Sequence, residues 1–294
     1  MAGGQISVKL APANEPPRVK KFRLELIKAI PRFPNNQESL RHMQQKHLSD
    51  VLIDYIHWRA RYVGKRPRQI EIEAAAKANP RWSAMAVPIE AFLEKVRNGD
   101  DLNPYLSLAP HTRGYSLAAH TPGATNEDRC SDKDLLLTRM NYHHFHLGMN
   151  MEASGHAART DELIFAEVSR DKFKVIAIFN HDVFDQNSSE RRRLSSLHDW
   201  IIFRGLPPGA GVMDGPVVSS GHALHVVMYA QCCLRQIDFL DRQLDNRAFI
   251  ENWYALSKIE LPLKPKLKWR LLHLDLAVFN SANGTAFVVE RGWN

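Results

Sequence analysis

The chain has 294 residues, of which 44% are hydrophobic and 24% charged, and this ordinary globular composition excludes a largely disordered protein. Its 39 basic and 32 acidic residues give a formal net charge of +7, which favours phosphate-rich partners over polycations. Three cysteines without CxxC spacing, no apolar signal core and no apolar run of membrane-spanning length predict a cytoplasmic protein without a membrane partner.

The first part of the chain is predicted to be mostly helical. Residues 1–17 are small, polar and proline-bearing, which indicates a flexible N-terminus with at most a short edge strand at 6–10. A helical region follows at 18–103, including a short helix at 71–78, because apolar residues recur there at three- and four-residue steps between proline and glycine stops. Residues 104–133 break this periodicity and are predicted to form a loop or linker.

Residues 134–294 are predicted to form one α+β domain that carries a histidine cluster. Its first part is typical of a small antiparallel sheet, because short β-branched or aromatic runs alternate with polar turns. These runs are 135–137, 142–147, 163–168 and 173–179. A long helix from about Ser220 to Leu244 follows, and then a hairpin of 269–279 and 285–289 with the turn Asn283-Gly284. The predicted fold class is therefore α+β, with a helical N-terminal region, a central small antiparallel sheet, a C-terminal long helix and a β-hairpin.

The strongest chemical signal is the histidine-rich strand at 142–147. Side chains alternate along a strand, so His144 and His146 are expected on one face and His143 and Phe145 on the other, turned towards packing. Imidazoles titrate near neutral pH and bind metals through either nitrogen. The pair can therefore act as acid and base, as phosphate contacts or as metal ligands, while a buried, hydrogen-bonded ring is the alternative for any one of them.

Two further residues extend this candidate site. If 163–168 and 173–179 pair beside the histidine strand, Arg159 lies at the entry of the hairpin and His181 just beyond its end. An arginine that stabilises phosphate charge, with histidines that transfer protons, is sufficient to cleave RNA without a metal. The alternative is a surface ion pair between Arg159 and the acidic residues that follow it.

Metal binding is a second interpretation of the same residues. His144 and His146 could be joined by His181 or Asp182, although the spacing matches no specific metal motif such as HExxH. No Walker loop and no GxGxxG motif is present, so the sequence predicts no cofactor.

A basic stretch at 57–68 is the second candidate surface. Arg59, Arg61 and Arg66 alternate there with aromatic residues, a combination that suits nucleic acid because phosphates are neutralised and bases can stack. The alternative is that Trp58 and Tyr62 belong to the core, which leaves a solvated rim of arginines.

Three segments within 134–184 carry a resemblance to known proteins, namely DLLLTRMNYHHFHLG, RTDELIFAEV and FKVIAIFNH. They resemble bacterial and phage-associated proteins that pair an HHxHLG-type strand with an R-x-x-x-L-x-F strand and a final strand ending in histidine. More distantly, they are similar to RelE/ParE-type ribonuclease toxins, in which a small antiparallel sheet carries basic residues that cut messenger RNA. The resemblance implies catalytic or RNA-contacting roles for His144, His146, Arg159 and His181. We also expect RNA or another nucleic acid and a protein inhibitor as partners, and a role in antiphage defence.

The first hypothesis is therefore a toxin-like endoribonuclease that cleaves RNA by metal-independent acid–base chemistry. A non-enzymatic nucleic-acid-binding or regulatory protein, which binds through its helical N-terminal region, is the second hypothesis. A metal-dependent hydrolase that uses the histidine cluster is the third.

Overall fold

The computed structural model of the protein describes residues 15–121, 123–212 and 215–294. The flexible N-terminus predicted at 1–17 and its edge strand at 6–10 therefore lie outside the described residues, apart from the last three positions. The predicted α+β class is confirmed, because helices alternate with antiparallel sheet and the C-terminal long helix precedes further strands. No helix in the described ranges is long and apolar enough to cross a membrane.

The helices and strands have the following bounds. The described helices are α1 (Pro17–Ala29), α2 (Gln37–Gln45), α3 (Leu48–Arg59), α4 (Ala74–Lys77), α5 (Pro80–Ala84), α6 (Ala86–Asn98), α7 (Ala109–Thr112), α8 (Asn126–Cys130), α9 (Leu135–Met140), α10 (Ser189–Phe203), α11 (Leu224–Asp241) and α12 (Arg247–Leu256). The described strands are β1 (Arg32–Phe33), β2 (Gln69–Ile72), β3 (Tyr115–Ser116), β4 (Tyr142–His146), β5 (Leu163–Val168), β6 (Lys172–Phe179), β7 (Leu267–Leu272), β8 (Asp275–Asn280) and β9 (Ala286–Glu290).

Internal packing divides the described chain into two compact units, and both are discontinuous in sequence. The first unit comprises the described residues up to Arg59, together with His111–Asp132 and Leu224–Gly292. The second unit comprises Ala60–Pro110, Lys133–Ala223 and Trp293–Asn294. The domain boundaries predicted from the sequence stay predictions.

The second unit is built on a four-stranded sheet with the order β2-β6-β5-β4. The strands β4, β5 and β6 pair antiparallel, as predicted, and Ser169 and Lys172 form the turn of the β5–β6 hairpin. The edge strand β2 was not predicted, and it runs parallel to β6. Apolar clusters cover both faces of the sheet, one around Phe92 of α6 and one around Leu194 of α10. This two-sided burial explains why β5 and β6 are apolar almost throughout.

Two local predictions were wrong. Residues 135–137 were expected in a strand, but they start helix α9 because the Asp134 carboxylate accepts the N–H groups of Leu136 and Leu137. Residues 71–78 were expected to be helical, but their first residues belong to β2, and only the short α4 follows. In both places a short apolar run was compatible with helix and strand alike.

The first unit contains a three-stranded antiparallel sheet with the order β7-β8-β9. The turn Asn283-Gly284 joins β8 to β9 as predicted, and Gly284 adopts a φ of 77°, which glycine tolerates without strain. The segment predicted as one strand at 269–279 is instead divided between β7 and β8, with a turn at His273. The long helix α11 packs on α3 and β9.

Candidate functional site

The histidine strand β4 lies at one edge of the four-stranded sheet, and its alternation is close to the predicted one. His143 is 3% exposed and donates from Nε2 to the carbonyl oxygen of Ala60 at 2.9 Å, while Phe145 is fully buried. On the other face His144 stacks on Phe165 with ring centroids 5.7 Å apart, and 11% of its side chain is exposed. His146 is only 1% exposed. The face predicted to be functional is therefore itself largely shielded from solvent.

Thr160 fixes the end of the histidine strand. Its backbone nitrogen and oxygen lie 3.2 Å and 3.1 Å from Nδ1 of His146, so one residue holds this ring nitrogen and leaves Nε2 for other contacts. The hydroxyl of Thr160 accepts the N–H of Leu147 at 3.0 Å. Gly148 follows directly, and a Cβ there would collide with the carbonyl oxygen of Ala158. The glycine is therefore what lets the segment before β5 approach β4 so closely.

The same segment places the predicted arginine and the fourth histidine. Arg159 is exposed and donates from Nη1 to the carbonyl oxygen of Leu106 at 3.0 Å, rather than to a neighbouring carboxylate. His181 lies two residues after the end of β6 and donates from Nδ1 to the carbonyl oxygen of Asp161 at 2.9 Å. Its ring centroid lies 5.4 Å from that of His146, and 46% of its side chain is exposed. The fold thus brings His181 beside the histidine strand.

Electrostatics ties these four residues together. Burial, together with the nearby positive charge of Arg159, lowers the pKa of His146 to about 4. Burial also lowers the pKa of His144, where Asp134 opposes the shift and Arg159 and His181 add to it. Both strand histidines are therefore neutral at pH 7, beside an exposed cation.

Two residues of this site were not identified from the sequence. The Asp134 carboxylate caps α9 through Oδ1, and its Oδ2 lies 3.8 Å from Nδ1 of His144. Phe184 is 42% exposed, and its ring lies edge-on to His144 at 5.1 Å and tilted to His181 at 5.9 Å. An aspartate directly before an apolar helical run is the signal that would have identified the cap.

A very small cavity lies behind His143 and His144. Its volume is about 10 Å³, which is room for one water, and Asp134 and Arg61 also line it. The Nδ1 atoms of both histidines are buried and have no hydrogen-bond partner within the described part of the chain.

The three arginines predicted to contact nucleic acid differ in their exposure. Arg61 is only 5% exposed and lies in the wall of the small cavity, so it is not part of a solvated rim. Arg59, the last residue of α3, and Arg66 are half-buried. Trp58 and Tyr62 are buried, in agreement with the core alternative. A nucleic-acid contact at these arginines stays a prediction.

A metal centre finds little support in the side-chain geometry. Within residues 15–121, 123–212 and 215–294, no three histidine, cysteine, aspartate or glutamate side chains lie close enough together to hold an ion. The set suggested by the sequence, His144 and His146 with His181 or Asp182, is therefore not assembled in the geometry that a metal needs.

The chain matches no protein family, no curated protein and no solved structure among those with which it was compared. The resemblance of 134–184 to phage-associated proteins and RelE/ParE-type toxins therefore stays a prediction. Function is inferred from the chemistry of the site, since a fold alone does not define one.

Proposed function

We propose that the protein is a toxin-like endoribonuclease that cleaves RNA at the site formed by His144, His146, Arg159 and His181, without a metal. One observation carries this proposal: the largely shielded imidazoles of His144 and His146, whose pKa values are lowered by burial, lie beside an exposed guanidinium and an exposed imidazole at one end of a sheet. Proton acceptor, proton donor and phosphate-binding cation are the three groups that the reaction requires.

His144 is the general base in this mechanism. It is neutral at pH 7, and the Asp134 carboxylate faces its Nδ1, which favours the tautomer with the lone pair on Nε2. Nε2 takes the proton of a ribose 2′-hydroxyl, whose oxygen then attacks the adjacent phosphorus. The product of this step is a 2′,3′-cyclic phosphate.

His181 and Arg159 complete the reaction. The Nδ1–H of His181 is held by the carbonyl oxygen of Asp161, and this exposed ring is the general acid that protonates the departing 5′-oxygen. Arg159, already oriented by Leu106, neutralises the charge that develops on the phosphate. His146 contacts His181 through its ring and is a positioning residue.

The test is cleavage of single-stranded RNA by the purified protein in the presence of EDTA. His144→Gln, His181→Gln and Arg159→Gln are each expected to lower the rate by about 100-fold or more, because each removes one of the three groups. His225→Gln, which changes an exposed histidine on α11, is the matched control and should retain the rate.

Three results would overturn the proposal. They are the absence of cleavage in every condition, an equal loss in the His225 variant, and cleavage that EDTA abolishes. RNA binding without cleavage, weakened steeply by salt and by charge reversal at Arg59 and Arg66, would favour the non-enzymatic nucleic-acid-binding alternative instead.

A reducing compartment suits this function. The cysteines Cys130, Cys232 and Cys233 are all free thiols, as is usual for proteins of the cytosol. We therefore include cytoplasmic location, where messenger RNA is present, in the proposal. A protein inhibitor would be needed there to restrain a general ribonuclease.

A further inference from the structure

A separate cleft lies in the first unit, and none of its residues belongs to the histidine site. Its volume is about 430 Å³, which is within the range typical of small-molecule sites. The wall is formed by the end of α1, by β1 with the residues that follow it, and by the last residues of α7.

The local sequence explains how this cleft is built. Helix α1 ends at Ala29, and Pro31 cannot continue it because proline has no N–H to donate. The carbonyl oxygen of Pro31 accepts the N–H groups of Gly114 and Tyr115 at 3.0 Å and 2.8 Å. A Cβ at Gly114 would lie only 2.8 Å from Cδ of Pro31, so glycine is needed for this close approach. The segment before Gly114 is thereby held against β1.

The polar part of the cleft is basic. Lys28, Arg32 and His111 line it, and none of the described residues in its wall is acidic. Arg32 donates from Nη2 to Oδ1 of Asn35 at 2.9 Å, which orients the guanidinium. Its Nε–H is buried and has no hydrogen-bond partner among the described residues. The guanidinium lines the cleft, and its planar shape matches the oxygen spacing of a phosphate.

An exposed aromatic ring forms the apolar part. Phe33 is 45% exposed, and it lines the same cleft as the basic residues. The guanidinium carbon of Arg113 lies 5.1 Å from its ring centroid. An aromatic ring beside a guanidinium is an arrangement on which a nucleobase can stack.

We propose that this cleft binds a nucleoside phosphate, whose phosphate contacts Arg32 and Lys28 and whose base stacks on Phe33. A free nucleotide and the phosphorylated end of an RNA strand offer the same chemistry, and either can occupy the site. The inference does not depend on the ribonuclease activity proposed for the second unit, and loss of that activity in the His181 variant should leave this binding intact.

Calorimetric titration of the full chain tests the proposal. The probes are uridine and adenosine monophosphates, the corresponding nucleosides, inorganic phosphate, and a 5′-phosphorylated trinucleotide with its unphosphorylated counterpart. Nucleotides are expected to bind at least about 10-fold more tightly than either nucleosides or phosphate alone, because both halves of the cleft are then occupied. Tighter binding of the mononucleotide would identify a free nucleotide as the ligand, and tighter binding of the phosphorylated trinucleotide would identify the end of an RNA strand.

Single substitutions test the roles of the basic part and the aromatic part of the cleft separately. Arg32→Gln should weaken nucleotide binding by about 10-fold or more, because a charge-assisted contact is lost. Phe33→Leu should weaken nucleotide binding while leaving that of inorganic phosphate unchanged. Arg41→Gln, which changes an exposed arginine on α2 outside the cleft, is the matched control for net charge. Circular dichroism melting of each variant verifies that it is folded.

Several outcomes would overturn the proposal. One is the absence of nucleotide and phosphate binding at millimolar concentration. Another is that Arg41→Gln weakens nucleotide binding as much as Arg32→Gln does, which would show that the net charge of the protein alone attracts the nucleotide. A third is equal affinity for phosphate and nucleotide, which would remove the stacking role of Phe33. Lys28→Gln provides a second charge variant if the Arg32 variant does not fold.

Discussion

Acid should destabilise the second unit through His143, and the size of this effect follows from its burial. Burial lowers the pKa of His143 from its usual 6.5 to about 4, although the bond to the carbonyl oxygen of Ala60 acts in the opposite direction. Between these two pH values the unfolded chain binds a proton that the folded chain does not. Stability is therefore unaffected by this group above pH 6.5 and is lost as the pH falls towards 4, by a total of about 3 kcal/mol.

The variant His143→Gln isolates this contribution. Its amide can donate to the carbonyl oxygen of Ala60 but does not titrate, so the variant lacks the proton linkage. Urea unfolding, followed by circular dichroism at several pH values, gives the free energies. The difference between the two proteins should be constant above pH 7 and should shift by about 3 kcal/mol in favour of the variant between pH 6.5 and pH 4.

Two results would refute this reasoning. Parallel stability curves for the two proteins below pH 6.5 would show that burial does not lower the pKa of His143. An NMR titration that gives His143 an ordinary pKa in the folded protein would show the same directly. Constancy of the difference between pH 7 and pH 8.5 is the internal control, because the imidazole is neutral there in both states.

Two other residues give tests of stability. Glu73 is 7% exposed and receives two hydrogen bonds from Arg204, which is the main reason why its pKa falls to about 2. Glu73→Gln should lower the free energy of unfolding by about 1.5–3 kcal/mol at pH 7, and the loss should shrink as the pH falls from 4.5 towards 2. A loss of unfolding free energy in Glu73→Gln that is as large at pH 3 as at pH 7 would contradict this. Gly148→Ala should destabilise the protein by more than about 1 kcal/mol, whereas Gly205→Ala, with open space around it, is the control. Equal melting temperatures for these two variants would contradict the close approach at Gly148.

Much of the histidine site could be predicted because its signals are local. Alternation along a strand gave the faces of His143 and His144, and a four-residue turn between two apolar runs gave the β5–β6 hairpin. Once that hairpin is assumed, Arg159 and His181 must lie at the same end of it. Short-range rules were sufficient for each of these steps.

The parts that the sequence did not predict depend on distant contacts. Strand β2 has only four residues and is placed in the sheet by pairing with β6, so its short alternation was outweighed by the helix-forming alanines that follow it. Arg61 reads as a surface residue, but its side chain is buried beside His143, where the fold provides polar neighbours. Neither outcome follows from periodicity.

The parallel pairing of β2 with β6 has a consequence for the order of folding. An ion pair joins Glu71 of β2 to Lys172 of β6, and these residues are 101 positions apart in the chain. During synthesis on the ribosome, β6 is made on the order of 5–20 s after β2, so β2 stays unpaired for that time. The β5–β6 hairpin can form as soon as both of its strands have left the ribosome. Pulsed hydrogen exchange during refolding should accordingly show protection in β5 before β2. Until β2 docks, one edge of β6 stays unpaired, and the nascent sheet is most vulnerable to association with other chains in that interval.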